Sequence, residues 1–165
     1  MRSLVCADAN LALKIVLHEP DSARARALWE EWKAQQTLVI APTLWGYEVT
    51  SVVRKRAHRG LLPPDIERET LAVVHQLPVR LLAPAGLHQR AWEWARRFDW
   101  PAAYDAHYLA LAEMASCPFW TADERLFSAV RAELDSVDGK SCSKRVCDPR
   151  FSAVTDRRGA RISIY

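Results

Sequence analysis

YDAHYLALAEMASCPFWTADERLF, residues 104–127, changes its hydrophobic period partway and places an acid at each end of the change. From Asp105 to Ala115, the apolar residues Tyr108, Leu109, Leu111 and Ala112 recur at helical spacing, which predicts a helix packed on a sheet. Pro118–Thr121 then reads as a compact strand ending at Asp123, and a last helix is predicted over about Glu124–Leu134. Helix, strand and helix in succession belong to a largely parallel sheet covered by helices on both faces.

The chain before this stretch keeps the same alternation. Ser3–Ala7 is a short apolar strand ending at Asp8, and Asn10–Leu17 follows with Leu11, Leu13 and Val16 at helical spacing. Asp21 is placed to cap a helix running to about Gln35, with Ala23, Ala27, Leu28 and Trp32 on its apolar side, and Thr37–Ile40 reads as a β-branched strand. Pro42 suits the first turn of a helix and Gly60 its end, and the helix between them carries Glu48. Asp65 opens another helix ending before Pro78, Val79–Leu82 is a short strand, and Leu87–Arg97 is a helix containing Trp92 and Trp94. Pro101 stops regular structure ahead of Asp105. The fold class expected is α/β.

At 165 residues, half of them apolar, the chain is long enough for one domain with a sizeable core. Its apolar runs, such as residues 37–41 and 108–112, fall far short of the roughly 20 residues that cross a bilayer. The first ten residues include Arg2, Asp8 and Asn10, so neither a membrane span nor an export signal is expected. Without such a signal, four cysteines point to a reducing, cytoplasmic setting. Cys6 and Cys117 read as small core residues, and Cys142 and Cys147 lack a second Cys or His pair at zinc-binding spacing. The net charge of +3 is unevenly spread: residues 1–137 hold 16 Lys+Arg against 17 Asp+Glu, a net of −1, and residues 138–165 hold 7 against 3, a net of +4. Overall basicity is therefore no argument that the body binds nucleic acid. The expected organisation is a domain over residues 1–137 and a flexible basic tail over 138–165, with Ile162–Tyr165 as a strand candidate inside it.

Four acids stand out by position. In parallel α/β sheets, ligands bind outside the carboxyl ends of the strands, where Asp8 and Asp123 are expected to project, and Asp105 opens a helix that can bring it to the same edge. Glu48 stands one turn from both Leu44 and Val52, at the margin of an apolar helix face made with Trp45 and Val49. A carboxylate there needs a partner, and the basic residues Arg54, Lys55, Arg56 and Arg59 all come later on the helix. Taken alone, Asp8, Asp105 and Asp123 read first as helix caps and Glu48 as an edge residue in a salt bridge. Together they do not, because two carboxylates about 5 Å apart repel by roughly 3 kcal/mol at an effective dielectric near 20. A cation removes that repulsion, and all-oxygen ligation suits Mg²⁺ or Mn²⁺ better than zinc. Such an ion can activate a water for in-line attack on a phosphodiester.

The segments VCADANLALK with Asp8, APTLWGYEVTSVVRKR with Glu48, YDAHYLALAE with Asp105 and FWTADERLF with Asp123 resemble, over about residues 3–135, the PIN-domain proteins, in particular the VapC-type toxin ribonucleases of toxin–antitoxin pairs. The resemblance implies a three-layer α/β/α sandwich with a mostly parallel central sheet. It implies an endoribonuclease dependent on Mg²⁺ or Mn²⁺, with Asp8 and Asp105 as direct ligands and Glu48 and Asp123 completing the pocket. Asn10 and Thr121 fall where such proteins often carry small polar residues that orient ligands or water. An RNA substrate, a homodimer and a cognate antitoxin that blocks the pocket are implied as partners. Residues 138–165 depart from the family pattern.

Other features admit two readings. The basic helix end at Arg54, Lys55, Arg56, His58 and Arg59 suits RNA phosphates, and equally a helix C-terminus. Trp92, Trp94 and Trp100 are base-stacking candidates or packing residues, and His107 is a general-base candidate beside Asp105. An Asp-nucleophile phosphatase would want a second acid two residues after Asp8, where Asn10 stands. A housekeeping RNA-processing nuclease and a non-catalytic scaffold binding RNA or protein remain the alternatives to a toxin.

Overall fold

The computed structural model describes residues 3–17, 19, 21–138, 152–155 and 161–164, with side chains described as far as residue 131. In chain order the elements are β1 (Leu4–Ala7), α1 (Ala9–Val16), α2 (Ser22–Ala34), β2 (Leu38–Pro42), α3 (Leu44–His58), α4 (Pro64–Gln76), β3 (Val79–Leu82), α5 (Leu87–Arg97), α6 (Tyr104–Met114), β4 (Phe119–Thr121), α7 (Glu124–Asp138), β5 (Ser152–Thr155) and β6 (Arg161–Ile164). The sheet order is β3-β2-β1-β4-β6-β5, parallel throughout except for the antiparallel β5–β6 pair. A mostly parallel sheet with helices on both faces is the α/β arrangement expected. β5 and β6 come from the stretch read as a tail, and β6 aligns Ile162 with Phe119. The rest of that stretch, including Cys142 and Cys147, lies outside the described residues.

Strand residues alternate between two cores, as a two-residue side-chain period requires. On one face Val5, Ala7 and Val39 pack with Ala25, Leu28, Trp29 and Trp32 of α2. On the other, Cys6, Ile40 and Phe119 pack with residues of α3, α4, α5 and α6. α1 feeds both, Leu11 into the first core and Ala12 and Leu13 into the second. Three layers follow. No helix among the described residues is long and apolar enough to cross a membrane.

Pro42 differs from its expected place: it ends β2, in register with Leu82 of β3, and does not open α3. Its missing N–H falls where the ladder stops, a position a strand tolerates. At the far end of α3, Gly60 takes φ 70°, just after the capping residue Arg59, as the terminator reading requires.

β1 lies between β2 and β4. The chain builds outward from β1 to β2 and β3, then returns to add β4 on the other side of β1. That reversal opens a crevice beyond the carboxyl ends of β1 and β4, the usual ligand position in such sheets.

Candidate metal centre

Asp8 follows β1 directly and caps α1, its Oδ1 accepting from the Leu11 N–H at 2.7 Å. Its Oδ2 accepts a very short bond from the Thr121 hydroxyl at the end of β4. Thr121 is fully buried, and its Oγ1 in turn accepts from the Asp123 N–H at 2.9 Å. One hydroxyl thus ties the ends of the two strands that flank the crevice. Asp123 caps α7, its Oδ1 accepting from Arg125 N at 2.8 Å and Leu126 N at 3.1 Å. The helix-cap reading therefore holds for Asp8 and Asp123, and capping leaves each with oxygen lone pairs to offer.

Glu48 projects from the second turn of α3 and is half-buried; its Oε2 accepts a short hydrogen bond from the Tyr108 hydroxyl of α6. Tyr108 was legible in sequence only as an apolar helix residue. A buried phenol nonetheless needs a polar partner, and that rule is the signal that could have found it. Asp105, in the first turn of α6, makes no cap and is open to solvent on one side.

The four acids feel one another. Burial pushes the Asp8 carboxyl up to about 7, against the Thr121 and Leu11 hydrogen bonds that lower it, and the charges of Glu48 and Asp105 raise it further. Burial also raises Glu48, opposed by the Tyr108 hydroxyl and reinforced by Asp105. Asp105 is raised by partial desolvation and then by the charge of Asp123. Asp8 thus responds to Glu48 and Asp105, Glu48 to Asp105, and Asp105 to the charge of Asp123.

Among the described residues, no ion pair joins a Lys or Arg to any of the four. Arg54 pairs with Glu67 at 3.3 Å and Arg56 with Glu19, so neither serves Glu48. Nor do three His, Cys, Asp or Glu side chains among them stand as a ready-made coordination cluster. Asp8 and Glu48 instead point oxygens at Thr121, Leu11 and Tyr108, as mutually repelling carboxylates are expected to do. The donor set is all oxygen and anionic, with no Lys or Arg paired to it among the described residues, a chemistry that suits a hard divalent ion.

The remaining candidates separate. Asn10 is exposed on α1 and makes no hydrogen bond to the acids among the described residues. His107 has both ring nitrogens engaged, Nδ1 with the Ala103 carbonyl at 2.6 Å and Nε2 with His88 Nδ1 at 2.9 Å. Trp94 is buried, donates to Glu113 at 2.8 Å and stacks with Phe98, which stacks in turn with Trp100. Trp92 is half exposed beneath the Arg96 guanidinium. Cys6 and Cys117 are buried and free, as small core residues should be.

Comparison with known proteins gives a consistent family. A family model described as the PIN domain matches residues 5–133. A protein of Mycobacterium bovis named VapC ribonuclease is 34% identical over 116 residues, covering 68% of this chain and 89% of the relative. Ribonuclease VapC9 of Mycobacterium tuberculosis matches with the same figures. Among solved structures, Mycobacterium tuberculosis VapC20, described as a sarcin-ricin loop cleaving toxin, superposes with a TM-score of 0.59 at 18% identity, over 76% of this chain and 94% of that one. VapBC2 of Rickettsia felis, bound to a DNA fragment from its promoter, gives 0.56 at 13% identity, over 76% and 91%. At those identities the structures speak for the fold alone.

Proposed function

This chain belongs to the PIN-domain family, and on that premise we propose that it is an Mg²⁺- or Mn²⁺-dependent endoribonuclease, the toxin of a type II toxin–antitoxin pair. The ribonuclease names of the curated relatives support RNA as substrate, and the likeness in fold to the VapBC2 structure is in keeping with a cognate antitoxin as partner; a homodimeric, cytoplasmic protein belongs to the same proposal. The observation that supports catalysis most is the coupling of Asp8, Glu48 and Asp105, with Asp123 acting on Asp105, and no Lys or Arg paired to any of the four among the described residues.

Asp8 and Asp105 would hold the metal directly, with Glu48 and Asp123 ligating or receiving its waters. When bound, the ion supplies an acidified water, an electrophilic grip on the phosphate and a counter-charge for the leaving oxygen. The chain's own residues set the geometry. Thr121 fixes the outward oxygen of Asp8 and the backbone that carries Asp123. Tyr108 holds Glu48 against the wall of the crevice. The N-terminal ends of α1, α6 and α7 add partial positive charge near the place where phosphate negative charge gathers.

Purified protein should cleave RNA with Mg²⁺ or Mn²⁺ and stop in EDTA. Asp8→Asn and Asp105→Asn should fold and lose about 100-fold or more of the rate, the scale of groups acting on transition-state charge. Undiminished cleavage in EDTA would overturn the catalytic reading. Growth arrest on expression, relieved by the neighbouring gene product, separates a toxin from an RNA-processing enzyme.

A further inference from the structure

Two tyrosines beside the acidic crevice have no packing role. Tyr47 is 78% exposed and Tyr104 is 68% exposed, whereas Tyr108 on the same helix as Tyr104 is buried. Neither exposed ring has an aromatic, cation–π or hydrogen-bond contact among the described residues. Their positions are not arbitrary. Tyr47 immediately precedes Glu48 on α3, in a helix whose buried ridge is Trp45, Val49 and Val53, so it projects away from the core. Tyr104 opens α6, one turn before Tyr108 and next in the chain to Asp105. Each open ring therefore belongs to a residue adjacent in the chain to one of the four acids, Tyr47 to Glu48 on α3 and Tyr104 to Asp105 on α6.

The neighbours of these rings are polar or small. Thr43, Thr50, Ser51 and Arg54 are exposed around Tyr47, and Pro101, Ala102 and Asp105 around Tyr104. An interface core would instead join such rings to further buried apolar surface. Isolated aromatic faces on a polar rim are the usual platforms for unpaired bases, because every base has a π-face and stacking tolerates any sequence. The charge balance adds a reason. Residues 1–137 carry 16 Lys+Arg against 17 Asp+Glu, so general attraction to phosphates is weak and the four acids repel them locally. Stacking is an uncharged source of affinity that this repulsion does not cancel.

We propose that Tyr47 and Tyr104 stack unpaired nucleobases of the RNA substrate at the rim of the acidic crevice, holding the strand over it; this rests on the ribonuclease reading above. Their role is substrate positioning, separate from that of the acids.

The test is binding of a fluorescein-labelled single-stranded oligoadenylate in EDTA, so that no cleavage occurs, followed by steady-state cleavage with Mn²⁺. Tyr47→Ala and Tyr104→Ala should each weaken binding on the order of ten-fold, and Tyr→Trp at the same positions should restore it. In cleavage the loss should fall mainly on KM. An oligomer of the same length with abasic sites should bind wild type and both alanine variants equally, a result that a merely structural role would not give. Unchanged oligoadenylate affinity in folded alanine variants overturns the proposal while leaving the ribonuclease reading intact. Unchanged affinity together with altered self-association would assign the rings to a protein interface, and also overturns it. Failure of wild type to bind or cut any RNA overturns both readings.

Discussion

Asp8 answers two demands at once, as the N-cap of α1 and as the most deeply buried acid of the crevice. Its ordinary carboxyl value of 3.8 applies to the unfolded chain, and about 7 applies in the fold. Between those values the folded state holds the extra proton, so this group's contribution to stability falls as pH rises from about 4 to about 7. In EDTA at pH 8, Asp8→Asn should therefore melt higher than wild type, and the difference should shrink towards pH 4; a lower melting temperature at pH 8 would contradict the buried-charge account. Thr121 offers a second check. Thr121→Val deprives Asp8 of a donor and Asp123 N–H of an acceptor, a loss of about 2–3 kcal/mol in denaturant unfolding, and Thr121→Ser should recover most of it. Asp8 and Asp123 were legible as candidates in the sequence because Asp8 directly follows, and Asp123 follows by two residues, a strand that a short apolar run announces. Tyr108 was not, because its hydroxyl meets a partner 60 residues away. Asn10, expected to assist, is exposed on the outer side of α1.

At the scale of elements, periodicity announced β1, the helices from α1 to α7 and the strands β2 to β4, and the differences are local. Pro42 was ambiguous because its fixed φ and absent N–H suit a helix's first turn and a strand's last residue alike. The sequence also left open what holds α5 to α6, the pair that sets the position of Asp105. In the structure, Arg90 of α5 grips Glu113 of α6 through two nitrogens at 2.5 Å, and Trp94 Nε1 donates to the same carboxylate at 2.8 Å. Glu113 is nearly buried, with 9% of its side chain exposed, so removing it strands the Trp94 indole N–H and leaves the Arg90 guanidinium with Glu93 as its remaining partner. Glu113→Ala should destabilise the fold by on the order of 2 kcal/mol, allowing for the partial exposure of Arg90. The four acids keep their elements in that variant, so saturating Mn²⁺ should still bind to the fraction that remains folded. A variant as stable as wild type would show that the clamp is ornamental.

The proposed site is one that no single segment contains. Asp8, Glu48, Asp105 and Asp123 belong to four helices' beginnings, gathered because the sheet reverses direction at β1 and because α6 crosses back over β1 and β2. Alternation of strand and helix in the sequence predicted the class of sheet and its acidic edge. It could not predict the strand order, since pairing of β1 with β4 rests on contacts more than a hundred residues apart. The central claim is that the gathered carboxylates act as one divalent-ion site. Mn²⁺ binding by electron paramagnetic resonance measures this directly, with RNA absent, at a pH above the Asp8 value of about 7 and then in a series below it. The account predicts saturable binding that Mg²⁺ displaces, that Asp8→Asn and Asp105→Asn each weaken by about ten-fold or more, and that strengthens as pH rises through about 7 with the ionisation of Asp8. Equal Mn²⁺ affinity in wild type and in both folded variants would contradict it.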